Sequence, residues 1–170
     1  MGLVYPNDFI PMAEQSGLIV PIGEWVLRNA CAQCRLWHNI GIFPFSVSVN
    51  ISVQQIKRRE FTRLVEDILR ETGLDAQHLA LEVTESVFME NLDTTLDTLS
   101  NLRKIGVAVA IDDFGTGFSS LGYLKDFSIN VLKIDQSFMR KITRDSDYAA
   151  IVESIIRLAH NLRMQVVAEG

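Results

Sequence analysis

Apolar and polar positions along the chain follow two periods, and from about residue 45 the two alternate. Residues 45–51 (FSVSVNI), 79–84 (LALEVT), 107–112 (VAVAID), 130–135 (NVLKID) and 165–169 (QVVAE) are short β-rich runs, which predicts five strands. Between them, amphipathic helical spacing covers residues 59–71, 92–104 and 148–162, with Gly73 and Gly106 just past the first two. Ahead of this alternation, residues 9–15 predict a short helix stopped by Gly17. Residues 22–39 predict a longer one, with Trp25, Val26, Ala30 and Trp37 among its apolar positions. Strands alternating with helices imply βα units and a parallel sheet. Two layouts remain open on the pattern alone: an open doubly wound sheet, or part of a (β/α)₈ barrel. A full barrel needs eight strands and about 250 residues, so five strands cannot close one.

Composition supports a single domain with a real core: 170 residues, 48% hydrophobic and 22% charged, with no linker or low-complexity tract. The formal net charge of −5 supplies no basic face for duplex nucleic acid. A phosphate-bearing ligand would therefore need metal ions or a few local donors. No apolar run approaches the roughly 20 residues of a membrane span, and the first residues lack the pattern of a signal peptide. A cytoplasmic protein is expected. Cys31 and Cys34 sit one helical turn apart with His38 on the same face. No second ligand pair follows, so they read as small hydrophobes packing a helix rather than a zinc or redox site.

The candidate chemistry lies at the C-terminal ends of the predicted strands: Asn50, Glu82, Asp112 with Asp113, Lys133 and Glu169. In parallel α/β folds those ends form the functional face. A carboxylate ending an apolar strand is costly unless its charge is compensated, and one lysine cannot compensate four acids. Oxygen donors of this kind suit hard divalent cations such as Mg²⁺ or Mn²⁺. Each residue alone has an ordinary structural explanation, a surface acid or a turn cap. Recurrence on five successive strands does not. After Asp112 and Asp113 the chain continues Phe114-Gly115-Thr116-Gly117, where glycines allow close backbone approach or positive φ.

The segments FIPMAEQSGLI, SVNIS, LEVTES, IDDFGTGFSSLGYL, LKIDQSF and VVAEG occur in this order from residue 9 to the end. In sequence and in order they resemble the signature segments of the EAL family of cyclic di-GMP phosphodiesterases. The resemblance implies a (β/α)₈ TIM-like barrel of which this chain carries about five strands. It implies that Asn50, Glu82, Asp112 and Asp113 are metal ligands, with Asp112 bridging two Mg²⁺ or Mn²⁺ ions. Lys133 and Glu169 would line the site beside the attacking water, Glu169 binding the second metal or helping to accept a proton, and Glu85 would steady the loop over residues 114–120. The implied reaction is hydrolysis of cyclic di-GMP to linear pGpG, and a homodimer is possible. Members that have lost activity bind cyclic di-GMP or a protein partner instead, and that is the alternative. The family's EAL tripeptide, which supplies a further metal-binding glutamate, and its eighth strand have no counterpart in residues 1–170. The chain thus reads as a partial EAL domain whose activity alone is expected to be low.

Overall fold

The computed structural model describes residues 2–42, 45–89, 92–115, 124–125, 129–143 and 145–170. Two helices lead, α1 (Pro6–Ser16) and α2 (Ile19–Asn39). Pro6 occupies the first turn of α1, where its missing N–H is no loss. Next come β1 (Val47–Asn50), the single turn α3 (Val53–Ile56), α4 (Phe61–Thr72), β2 (Leu79–Thr84) and α5 (Leu92–Lys104). Then follow β3 (Ala108–Phe114), β4 (Val131–Ile134), the single turn α6 (Gln136–Met139), α7 (Ser146–Asn161) and β5 (Gln165–Ala168). Helix α4 ends where Gly73 turns left-handed at φ 69° and its N–H caps the Leu69 carbonyl.

The five strands form one sheet in the order β1-β2-β3-β4-β5, with every pairing parallel. One face carries Val49, Leu81, Val83, Val109, Ile111, Leu132 and Ile134. These pack against Leu27 and Cys31 of α2, Val65 and Ile68 of α4, Leu99 and Leu102 of α5, and Val152 and Ala159 of α7 in a single core. Burying each Val, Leu or Ile side chain among them contributes about 1.5–3 kcal/mol. The opposite face is lined along β2 and β3 by small or polar residues, Ala80, Glu82, Thr84, Ala108, Ala110 and Asp112, which leaves space above it.

Pairing of β3 with β4 is interrupted by a bulge. Ile111 pairs with Leu132 and Phe114 with Ile134, so Asp112 and Asp113 together oppose Lys133. Asp113 takes φ 55°, a left-handed conformation that aspartate tolerates better than most residues.

The buried stripe of α2 is Ile19, Gly23, Leu27, Cys31 and Cys34. Trp25 is 66% exposed, and Val26 and Trp37 also reach solvent. The apolar positions Trp25, Val26 and Trp37 thus lie off the core face, whereas both cysteines are fully buried and free. Burial, then the neighbouring Cys34, pushes the Cys31 thiol up to about 11. His38 Nε2 is 2.9 Å from the Phe45 carbonyl. Among the described residues, no helix is long and apolar enough to cross a membrane.

Candidate active site

Each strand delivers its polar residue by the same device: an apolar segment anchored in the core, ending where the sheet meets open space. Asn50 closes β1 directly in register with Glu82 of β2. The β3 bulge then turns two consecutive carboxylates, Asp112 and Asp113, toward the position opposite Lys133. Glu169 follows the last residue of β5, and its N–H donates to the Ile134 carbonyl at 3.1 Å, which fixes it beside the end of β4.

Lys133 stands at the centre. Its Nζ lies 2.9 Å from Glu82 Oε2, 2.9 Å from Asp112 Oδ1 and 2.7 Å from Glu169 Oε1. Burial alone would lower its pKa. Hydrogen bonds to Glu169, Glu82 and Asp112 outweigh burial and hold the ammonium well above the usual lysine range. Asp113 shows the opposite balance. Burial, then the charges of Asp112, Asp135 and Glu169, raises its pKa. Carboxylate oxygens of Asp112, Asp113 and Glu169 lie within 4.8 Å of one another.

The residues singled out in the sequence therefore share one end and one face of the sheet. Asp112, Asp113 and Glu169 converge, Glu82 joins them through Lys133, and Asn50 stands beside Glu82 on the same edge. Glu85 is buried, and its Oε2 accepts a hydrogen bond from the Gly115 N–H at 3.2 Å. The rest of the loop it was expected to steady, residues 116–120, lies outside the described residues.

One acid of this cluster was not singled out. Asp135 caps α6 by accepting from the Ser137 N–H at 2.8 Å, bonds held largely to Ser137 lower its pKa, and its side chain also meets Asp113. Its signal was an aspartate at the very end of the predicted strand 130–135, two residues beyond Lys133 and one past the end of β4.

A cavity of about 970 Å³ opens beside the acids. Its lining runs from Glu82, Asp112 and Asp113, past Asn50, to Ile10 and Glu14 of α1. That volume is of the size that holds a small-molecule ligand. With one ammonium among five carboxylates, and Asp113 held against its own ionisation, the donor set is short of positive charge and consists of hard oxygens. It fits a divalent metal ion.

The model of the family described as EAL domain matches residues 1–170. The chain is 46% identical over 169 residues to the bifunctional diguanylate cyclase/cyclic di-GMP phosphodiesterase MucR of Pseudomonas aeruginosa, covering 99% of this chain and 25% of that protein. The chain thus spans about a quarter of the length of that relative. Among solved structures, the PaMucR phosphodiesterase in complex with c-di-GMP superposes with a TM-score of 0.93 at 46% identity, over 99% of this chain and 68% of that one. The EAL enzyme Bd1971 in its cAMP- and cyclic-di-GMP-bound form gives a TM-score of 0.93 at 40% identity, over 99% of this chain and 47% of that one.

Proposed function

The chain belongs to the EAL domain family, whose solved members have a TIM-barrel-like fold, and on that premise we propose that it is part of a metal-dependent phosphodiesterase domain that hydrolyses cyclic di-GMP to linear pGpG. The observation that carries this reading is the seat of Lys133, bonded to Glu82, Asp112 and Glu169 with Asp113 alongside. An ammonium and a set of oxygen donors meet beside a cavity of about 970 Å³ whose wall includes Glu82, Asp112 and Asp113, a volume suited to a small-molecule ligand.

Asn50, Glu82, Asp112, Asp113 and Glu169 would hold Mg²⁺ or Mn²⁺. When bound, such ions neutralise phosphodiester oxygens and acidify water. The chain's own residues do the rest. Lys133 stays protonated and is aimed by three carboxylates, so it offers fixed positive charge where negative charge grows on the phosphorus oxygens. Glu169, part-exposed at the end of β5, accepts the proton leaving the attacking water. The P–O3′ bond breaks as the new P–O bond forms, and the 3′ oxygen takes a proton from solvent and leaves as a hydroxyl. Glu85 holds the Gly115 amide and so fixes the chain's exit from the bulge that presents Asp112 and Asp113.

Residues 1–170 make up part of such a domain in this reading, and the family's EAL-bearing and eighth strands complete it. The test is chromatographic: cyclic di-GMP is incubated with Mn²⁺ or Mg²⁺ and the protein, with those strands restored, and pGpG is followed. Hydrolysis that requires the metal and is abolished by Asp112→Asn or Glu82→Gln is expected. Near-normal turnover by Asp112→Asn under metal titration overturns the mechanism, and binding without turnover by the unmodified domain favours a receptor instead.

A further inference from the structure

We infer that Gly23 of α2 and Gln55 of α3 form a joint that positions Asn50, an inference that rests on the ligand role proposed for Asn50. Chain direction changes immediately after that residue. Ile51 is buried, and its N–H donates to the Glu82 carbonyl at 2.8 Å, which ties the turn to β2. Ser52 then caps α3, and its N–H and hydroxyl both donate to Gln55 Oε1 at 3.2 Å, while the Gln55 N–H donates to the Ser52 hydroxyl at 3.4 Å. The segment that holds Asn50 therefore has two anchors, and the second is a side chain.

Ser52 and Gln55 make a capping box. Gln55 is only 3% exposed, and its carboxamide lies against α2 at Gly23. A Cβ added at Gly23 would come within 2.1 Å of Gln55 Nε2, 2.4 Å of Cδ and 2.5 Å of Oε1. Glycine inside a helix is otherwise unfavourable, so the bare Cα at this point has a steric cause. Because Oε1 holds both donors of Ser52, any shift of the carboxamide passes to Ser52 and from there to Asn50, two residues back. The residues that meet at the joint also line the cavity beside the acids, as do Asn50 and Ser52. In this reading Gly23 and Gln55 act by positioning Asn50.

The experiment uses the ¹⁵N-labelled chain with Mn²⁺ alone as probe. Paramagnetic broadening of the Asn50 side-chain amide is followed by NMR through a Mn²⁺ titration of the unmodified chain, Gly23→Ala, Gln55→Ala and the double variant. Each single variant is expected to lose about tenfold or more in Mn²⁺ affinity, the range seen when groups that orient a ligand are removed. Broadening of Asn50 should fall relative to the Asp113 and Gly115 signals. The double variant should be no weaker than Gln55→Ala, because without the carboxamide a methyl at position 23 has nothing to displace. If Gly23→Ala fails to give a dispersed spectrum, Gln55→Ala decides alone. Variants that bind Mn²⁺ as tightly as the unmodified chain, with Asn50 broadened equally, overturn the joint and leave the proposed function standing. A domain with the EAL-bearing and eighth strands restored that still takes up no Mn²⁺ overturns both.

Discussion

An ammonium held by three carboxylates serves the fold and, in the proposed mechanism, the chemistry, and substitution separates the two. Removing one partner from a largely buried charge cluster costs about 3 kcal/mol or more, and the Lys133 side chain is 15% exposed. Lys133→Ala is therefore expected to destabilise the metal-free chain by about that amount in urea melts, with added Mn²⁺ restoring much of the loss while turnover stays low. Asp113 gives the converse case. Its ionised form is opposed by burial and then by Asp112, Asp135 and Glu169, and asparagine accepts the same left-handed φ. Asp113→Asn should raise the thermal midpoint in EDTA at pH 7 and abolish the further rise that Mn²⁺ gives the parent. An acid with a raised folded pKa weakens the fold as pH rises through that pKa. The advantage of the variant is thus expected to fade on acidification, and to be absent below the ordinary value of 3.8.

Helices and strands differ in how plainly the sequence announces them. Strand β2 and helix α5 keep the bounds expected of them, because the apolar run of β2 and the helical spacing of α5, closed by Gly106, leave little choice. Single turns such as α3 and α6 have no room for a period. Their only marks are caps, Ser52 with Gln55 and Asp135 with Ser137, and these become legible once the chain is folded around them. The β3 bulge was hidden for a related reason: Ile111-Asp112-Asp113-Phe114 reads as a strand ending at Asp112, and only its partner strand shows the extra residue. The acids and Lys133 were legible because they recur near the ends of apolar runs, whereas Asp135 closes a run in which Lys133 already stood as the polar residue, and its cap role shows only in the fold. Beyond the bulge, Gly115 takes φ 98°, and a Cβ there would lie 2.8 Å from the Phe138 ring. A left-handed alanine costs about 1–2 kcal/mol before any clash. Gly115→Ala should accordingly lower the thermal midpoint by several degrees and weaken the Glu85 contact, which differential scanning calorimetry of Gly115→Ala, Glu85→Gln and the double variant can separate.

At the scale of the whole chain, β1 and β5 each pair on one side only, among the described residues. Strand β5 is open, with Val167 45% exposed, and unpaired parallel edges of this kind recruit other chains. The chain by itself is expected to self-associate, a dimer through these edges being the simplest product. Light scattering should give a mass above the 19.1 kDa of one copy. A monodisperse monomer at high concentration would show that these edges are better protected than their pairing suggests.

Counting side by side along the pleat gives the bulge a further meaning. Ile111 and Phe114 both belong to the core, yet they are separated by two residues, and an even pleat allows one. Asp113 is the surplus member: it adds a second carboxylate without reversing the strand beyond it. Deleting Asp113 outright should therefore leave Phe114 on its own side of the sheet and the chain folded, whereas deleting Phe114 or inserting one residue after Ile111 should not. Circular dichroism and a urea melt of the three length variants would tell them apart. In this sense the strand tolerates editing at the one position where its length exceeds what pairing requires, and the chemistry occupies that excess.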